Sequence, residues 1–148
     1  MVAASACCSI RNPQSEIRNG LVIMLPVERS FVILRHTGHG EAHFDLMLED
    51  GPALATWQVE AAPADLPVRS TAAARKLADH RREYLTYEGP VSRGRGRVER
   101  MDSGTYELHR GEAGLWDVTL EGSALRGRFE LRHVGPAAED WELRRLSA

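Results

Sequence analysis

Three of the six histidines in the chain fall within residues 35–45, in the segment RHTGHGEAHFD. His43 and Asp45 are two residues apart, so both side chains would lie on the same face of a β-strand. His36 ends the preceding apolar segment, and a hairpin through the glycine-containing turn would bring it back beside His43. Two imidazoles and a carboxylate would suit a divalent metal with open positions for water or substrate. His39 in the turn is either an additional ligand or a solvent-facing residue, and the alternative for the whole segment is an ordinary polar strand face.

A second candidate pair is His80 and Tyr84 in the segment DHRREYLTYEG. A spacing of four residues would align the two rings in one helical turn or a compact bend. Both side chains can contact phosphate oxygens, and histidine can act as an acid or a base near neutral pH. The alternative is a role in capping or core packing. Tyr87, two residues before Gly89, is predicted to be a core aromatic residue of its strand.

The glycine- and arginine-rich segment GPVSRGRGRVER follows at residues 89–100. Glycine permits close backbone approach, and arginine can hold the backbone of a nucleic acid. The alternative is a glycine-rich hairpin with solvated arginines. Residues 69–100 contain nine basic and four acidic side chains, whereas residues 41–65 contain six acidic and none that is basic. Such a distribution could place an anion-binding surface beside a cation site, although uneven surface charge alone would produce it.

The elements that must position these residues are predicted to be short antiparallel strands. The segment AHFDLMLE alternates, with one apolar face and one carrying His43, Asp45 and Met47. Similar strands recur between glycine turns, a pattern typical of a compact, mainly β antiparallel barrel. The alanine-rich segment TAAARKLADH predicts one short helix. The three tryptophans, at positions 57, 116 and 141, lie in apolar strand patterns and are predicted to be core residues.

The length of 148 residues fits one domain. Residues 1–24 show no amphipathic period and are predicted to be a disordered lead, which is absent from the native protein if translation starts at Met24. Residues 25–148 form the predicted barrel domain. Cys7 and Cys8 are adjacent and have no other cysteine to pair with, which favours a reducing, cytoplasmic setting. No segment reaches the roughly 18 apolar residues of a membrane span.

The order of these motifs resembles the 3'-phosphoesterase domain of bacterial DNA ligase D. That family has a strand ending in histidine, a short loop, a His-x-Asp strand ending in RLE, and a tryptophan-containing strand. A DH…Y…FEG segment, a glycine-rich loop and a WD.GTY-like turn follow. The corresponding segments here are FVILRH, HFDLMLE, LATW, DHRREYLTYEG, GPVSRGRGRV and MDSGTYE. The resemblance extends over residues 30–146.

The resemblance implies a compact β-barrel that trims 3' ends of DNA, removing a terminal ribonucleoside and then the remaining 3'-phosphate. It implies that His36, His43 and Asp45 are metal ligands, with manganese as the ion. It also implies that His80 and Tyr84 bind the scissile phosphate and stabilise its transition state. The expected partners are 3' ends of DNA or of RNA/DNA, with a separately encoded DNA ligase as a further partner, and the protein is expected to be a monomer without membrane association.

This chain departs from the family pattern at the phosphate site. Met47 occupies the position of the arginine in the family's DLRLE, and EAAP replaces a PKGP segment, so a lysine is absent. The first loop is one residue longer and contains His39, whereas the glycine-rich loop is shorter. Charge-assisted contacts to phosphate are strong, so another arginine would have to compensate. The candidates for that contact are Arg69, Arg75, Arg81 and Arg95. The alternatives to an end-trimming enzyme are a non-catalytic barrel that binds nucleic-acid ends and a metal phosphoesterase acting on small molecules.

Overall fold

The structure, a computed structural model, describes residues 28–148 and the backbone of two short strands nearer the N-terminus. The predicted disordered lead at residues 1–24, including its adjacent cysteines, falls largely outside the described residues. No helix in the described part of the chain is long and apolar enough to span a membrane.

The described residues form β-strands with two short 3-10 turns, at Pro63–Asp65 and Arg82–Leu85. The strands are β1 Gln14–Arg18, β2 Leu21–Leu25, β3 Arg29–Thr37, β4 His43–Asp50, β5 Ala53–Val59, β6 Thr71–Arg81, β7 Gly89–Pro90, β8 Arg97–Glu112, β9 Leu115–Gly122, β10 Arg126–His133 and β11 Asp140–Arg145.

Eight of the described strands close into an antiparallel barrel in the order β3-β4-β5-β6-β11-β10-β9-β8, and β8 returns to pair with β3. Closure leaves no barrel strand with an unpaired edge, which removes a route to aggregation. The short strand β7 pairs with the first residues of β8, and β1 pairs with β2. The prediction of a mainly β antiparallel barrel is confirmed.

The barrel interior holds the main hydrophobic core. Inward-facing residues alternate along each strand, and Phe31, Trp57 and Phe129 are among the largest fully buried side chains. Burial of each such side chain contributes about 1.5–3 kcal/mol. The Trp57 ring makes edge contacts with Trp116 at 5.4 Å and with Trp141 at 5.6 Å between centroids. Trp57 and Trp141 are core residues, as predicted, whereas Trp116 is partly buried and packs against the core.

The predicted helix in TAAARKLADH is wrong, because this segment forms strand β6. It pairs with β5 on one side and with β11 on the other. Ala74 is buried and lies in register with Val59 and Trp141, so its small side chain leaves room for the indole. The helix preference of alanine is worth less than 1 kcal/mol per residue, and pairing on both sides outweighs it.

A second hydrophobic cluster lies on the outer face of the barrel. This outer cluster consists of Val32, Leu34, Met47, Leu54 and Val98, with Tyr84, Leu85 and Val91 packed against it. The alternation of β3, β4 and β5 directs these side chains away from the core and onto the face that carries His43 and Asp45. The chain after β6 covers this cluster, so the outer face is partly shielded from water at this point.

One carboxylate fixes the turn between β9 and β10 to β8. Asp102 accepts four backbone hydrogen bonds, from Ser103 at 2.8 Å, Ser123 at 2.8 Å, Ala124 at 3.2 Å and Leu125 at 2.7 Å. Burial raises the pKa of Asp102, but the four N–H groups more than offset that effect and hold the pKa below its usual value. The ionised side chain is therefore a structural component of the barrel.

Candidate active site

The β3–β4 hairpin brings the three candidate metal ligands together. His36 and His43 are directly opposite each other in the register, and their ring centroids are 4.9 Å apart. Asp45 lies 3.7 Å from His36 Nδ1 and 3.3 Å from His43 Nε2. One ligand atom from each of the three residues lies within 4.8 Å of the others. The hairpin therefore forms a possible His–His–Asp metal site.

Backbone carbonyls orient both imidazoles. His36 Nε2 lies 2.6 Å from the Arg95 carbonyl, and His43 Nδ1 lies 3.0 Å from the Glu41 carbonyl. A carbonyl oxygen only accepts, so these nitrogens carry the proton in the neutral rings. His36 Nδ1 and His43 Nε2 are then left with lone pairs directed toward Asp45. Metal-binding histidines in proteins are usually held by such hydrogen bonds on the other ring nitrogen.

The electrostatics at Asp45 suit a bound cation. Asp45 is 3% exposed, and its Oδ1 has no hydrogen-bond partner among the described residues. In the neutral tautomer, the lone pair of His43 Nε2 faces this oxygen at 3.3 Å, and two lone pairs repel unless a proton or a metal lies between them. Burial raises the pKa of Asp45, and the nearby histidines only partly oppose this effect. A divalent cation would stabilise the ionised carboxylate, so the donor set fits a metal.

A glycine permits the contact that orients His36. Gly96 has a φ of +84°, and a Cβ there would lie 2.0 Å from the Thr37 carbonyl oxygen. The segment before β8 therefore approaches the β3–β4 hairpin backbone to backbone. This approach places the Arg95 carbonyl on His36. The glycine-rich segment thus contributes a backbone group to the site.

We expect Gly96→Ala to weaken divalent-metal binding by roughly ten- to hundredfold, the range for loss of a partner that orients a ligand. The new Cβ would collide with the Thr37 carbonyl, so the segment must move and withdraw the Arg95 carbonyl from His36. Calorimetric titration with manganese would measure the change.

Gly94→Ala is the matched control for this variant. Gly94 also has a positive φ, +65°, but a Cβ there would meet nothing within 4 Å. It carries the backbone strain without the collision, and its metal affinity should stay close to that of the wild type. Equal losses in the two variants would contradict the proposed link between Gly96 and His36.

A β-bulge places His80 on the same outer face. Leu54 opposes His80, but Thr56 opposes Leu77, so β6 contains one extra residue between these pairs. Without that residue, Asp79 would oppose Leu54 and His80 would point into the barrel. The His80 Nδ1 lies 2.9 Å from the Ala78 carbonyl, so Nδ1 carries the proton in the neutral ring and Nε2 keeps a free lone pair.

Tyr84 is held beside His80 by an ion pair at the start of its 3-10 turn. The Arg82 guanidinium contacts the buried Glu49 carboxylate and donates to the Gly51 carbonyl at 2.8 Å. Glu49 in turn accepts the Ser30 N–H at 3.0 Å. The Tyr84 ring packs against the outer cluster, with its centroid 5.7 Å from that of His80. The His80–Tyr84 pair therefore lies in a compact bend whose start is fixed to β4.

These residues share one cavity of about 400 Å³. Its lining includes the three candidate metal ligands and the histidine–tyrosine pair, which are His36, His43, Asp45, His80 and Tyr84. His39 also lines it, with its ring stacked 6.2 Å from that of His36, but His39 is not in the group of three ligands.

Two of the four candidate arginines line this cavity and two do not. Arg81 and Arg95 are among its lining residues. Arg75 lines a neighbouring depression next to Glu139 and Asp140. The Arg69 N–H donates to the Arg145 carbonyl in the chain before β6, away from the cavity lining.

Several functional features gave no signal in the sequence. The three carbonyls that orient the histidines belong to Glu41, Ala78 and Arg95, and every residue type has a carbonyl. The Glu49–Arg82 pair joins segments 33 positions apart. Tyr87 was predicted to be a core residue, but this prediction is wrong, because 38% of it is exposed.

The fold and the site define a class of protein: an antiparallel barrel that carries a His–His–Asp group and a histidine–tyrosine pair on its outer face. The sequence model of one family, the DNA Ligase D 3'-phosphoesterase domain, matches residues 35–133. This match covers most of the chain, and the protein belongs to that family. No curated protein matches the chain.

Proposed function

We propose that the protein is a metal-dependent phosphoesterase that removes a 3'-phosphate or a terminal ribonucleotide from DNA ends during end repair. The observation that carries the proposal is the common cavity of the His–His–Asp group and the His80–Tyr84 pair. Membership of a 3'-phosphoesterase family makes DNA end-processing the natural chemistry for that cavity. The proposed partners are DNA or RNA/DNA 3' ends and a separately encoded DNA ligase.

His36, His43 and Asp45 would hold the metal, and we propose manganese. A bound divalent ion supplies a Lewis acid for a phosphoryl oxygen or lowers the pKa of a water molecule. The protein itself would orient the ligands and exclude water. The Arg95 and Glu41 carbonyls keep both imidazoles in their metal-binding tautomers, and the outer cluster shields the base of the cavity from water.

His80 and Tyr84 would act on the phosphate. His80 Nε2 has no hydrogen-bond partner among the described residues, so it can exchange a proton with the phosphate or the leaving oxygen. The Tyr84 hydroxyl would donate to a non-bridging oxygen. Arg81 and Arg95 line the cavity and would supply positive charge for the phosphodiester chain.

A non-catalytic barrel that binds nucleic-acid ends is the second candidate. Met47 favours it, because this residue is 1% exposed and fills the outer cluster beneath the cavity instead of presenting a cation. The charge of the phosphate would then be neutralised only by Arg81 and Arg95 in the cavity lining. Such a barrel would bind DNA ends in a salt-dependent manner without forming product.

An end-trimming assay tests the proposal. Labelled primer-templates carrying a 3'-phosphate or one 3'-ribonucleotide would be incubated with manganese or with chelator. We expect trimming with manganese only, and we expect His43→Ala to abolish it, because the metal loses a ligand. His109→Ala is the matched control, since His109 bonds Thr119 on another part of the barrel. DNA and metal binding without any product would support the second candidate, and full activity of His43→Ala would refute the proposed metal site.

A further inference from the structure

A smaller cavity opens directly beside the candidate active site. It measures about 200 Å³, and its lining combines the aromatic and apolar residues Tyr84, Tyr87, Pro90 and Val91 with the polar residues Arg81, Glu83 and Ser92. Arg81, Tyr84 and Val91 line both cavities. The two spaces are therefore adjacent, with Tyr84 between them. A volume of this size is below that of a typical site for a drug-sized ligand and suits a single ring system.

Tyr87 is fixed in position although it is exposed. Its hydroxyl donates to the Pro90 carbonyl, and its N–H donates to the Glu83 carbonyl at 3.0 Å. Gly89, with a φ of +134°, lies so close that a Cβ there would be 3.2 Å from the Tyr87 hydroxyl oxygen. The ring is held in place and part of its surface remains exposed, so it can stack on a ligand.

His80, Tyr84 and Tyr87 are neighbouring rings, and Tyr87 lines the smaller cavity but not the larger one. The His80 and Tyr84 centroids are 5.7 Å apart, and the Tyr84 and Tyr87 centroids are 5.8 Å apart with perpendicular planes. Tyr87 is thus one ring further from the phosphate site than Tyr84. In a nucleotide, the sugar separates the phosphate from the base by a distance comparable to that between these neighbouring rings. A phosphate beside His80 would therefore direct its own base toward Tyr87.

We propose that Tyr87 is the stacking platform for the nucleobase of the 3'-terminal nucleotide, with Arg81 beside the connecting sugar and phosphate. This assignment rests on the proposed function, because it takes the phosphate to lie at His80. Stacking on an aromatic ring tolerates every base, since each base has a π-face. The platform would allow the protein to hold a frayed 3' end of any sequence.

Fluorescence of 2-aminopurine tests the platform without requiring turnover. One 3'-phosphorylated oligonucleotide would carry the probe as its terminal base, and a second would carry it well inside the strand. Both oligonucleotides would be titrated with protein, first in chelator and then with zinc as the divalent metal. We expect quenching of the terminal probe with the wild type and with Tyr87→Phe, which keeps the ring and loses only the bond to Pro90.

Tyr87→Ala and Tyr87→Leu should lose this end-specific quenching and bind the end roughly tenfold more weakly, the expected cost of one lost base stack. Melting temperatures close to that of the wild type would show that both variants fold. Undiminished end-specific quenching in Tyr87→Leu, or none with the wild type in either condition, would overturn the assignment. Quenching by a protein that trims no ends would leave the platform standing and refute only the proposed reaction.

Discussion

Replacing His80 with alanine is expected to slow removal of a 3'-phosphate by roughly 10²- to 10⁴-fold, the usual contribution of a positioned general acid or base. Its Nδ1 is oriented by the Ala78 carbonyl, and the bulge in β6 directs the ring onto the site face. Because His80 is outside the group of three ligands, metal affinity should be retained. Single-turnover rates and manganese titrations on the same preparations would separate the two properties.

His39→Ala is the matched control for this prediction. His39 also lines the cavity and stacks on a ligand ring, but it lies in the exposed hairpin loop. We expect a much smaller change in rate for this variant. Loss of metal binding together with loss of rate in His80→Ala would mean that His80 is a ligand or a structural residue instead.

Asp102→Asn is expected to lower the free energy of unfolding by about 3 kcal/mol, since it leaves buried donors unsatisfied. Asp102 Oδ1 accepts two of the four N–H groups and Oδ2 accepts the other two. An amide replaces one acceptor with a donor, which would then face two N–H groups. The carboxylate packs directly against the backbone of Gly122, where a Cβ would lie 2.6 Å from Oδ2. Urea denaturation at neutral pH would measure the loss.

The pH dependence of stability gives a second measure of Asp102. Its pKa is lower in the folded state than its usual value, so the stabilisation is complete above about pH 4 and is lost as the pH falls through the folded pKa. Asp102→Asn should therefore lose less stability on acidification than the wild type. Asp117→Asn is the control: Asp117 pairs with the half-exposed Arg128, and loss of this pair should cost about 1 kcal/mol or less. Equal costs for both variants would contradict the role given to Asp102.

The sequence predicts those parts of the site that are local. The period of β4 places His43 and Asp45 on one face, and a short hairpin brings His36 opposite His43, so these positions need no information from the rest of the chain. The barrel class follows in the same way from repeated alternation between glycine turns. The order of the motifs along the chain also predicts the family.

The sequence does not predict what depends on distant pairing. The alanine-rich β6 has the local preference of a helix and becomes a strand because β5 and β11 lie on either side of it. The bulge that directs His80 outward arises from the same pairing. The partners of Asp102 include a turn more than 20 residues later. Tyr87 is an aromatic residue of a type that often lies in a core, and the geometry of its loop leaves it partly exposed.

Closure of the barrel also has a consequence for folding kinetics. The β3–β8 pairing joins Arg29 to Tyr106 and forms at the cost of a long loop, so it belongs to the non-local contacts that slow folding. The three candidate ligands lie in a single hairpin, but the carbonyl that orients His36 lies 59 residues away, immediately before β8. A metal would thus meet all its ligands in an early hairpin, yet would bind at full affinity only after the slowest pairing had formed.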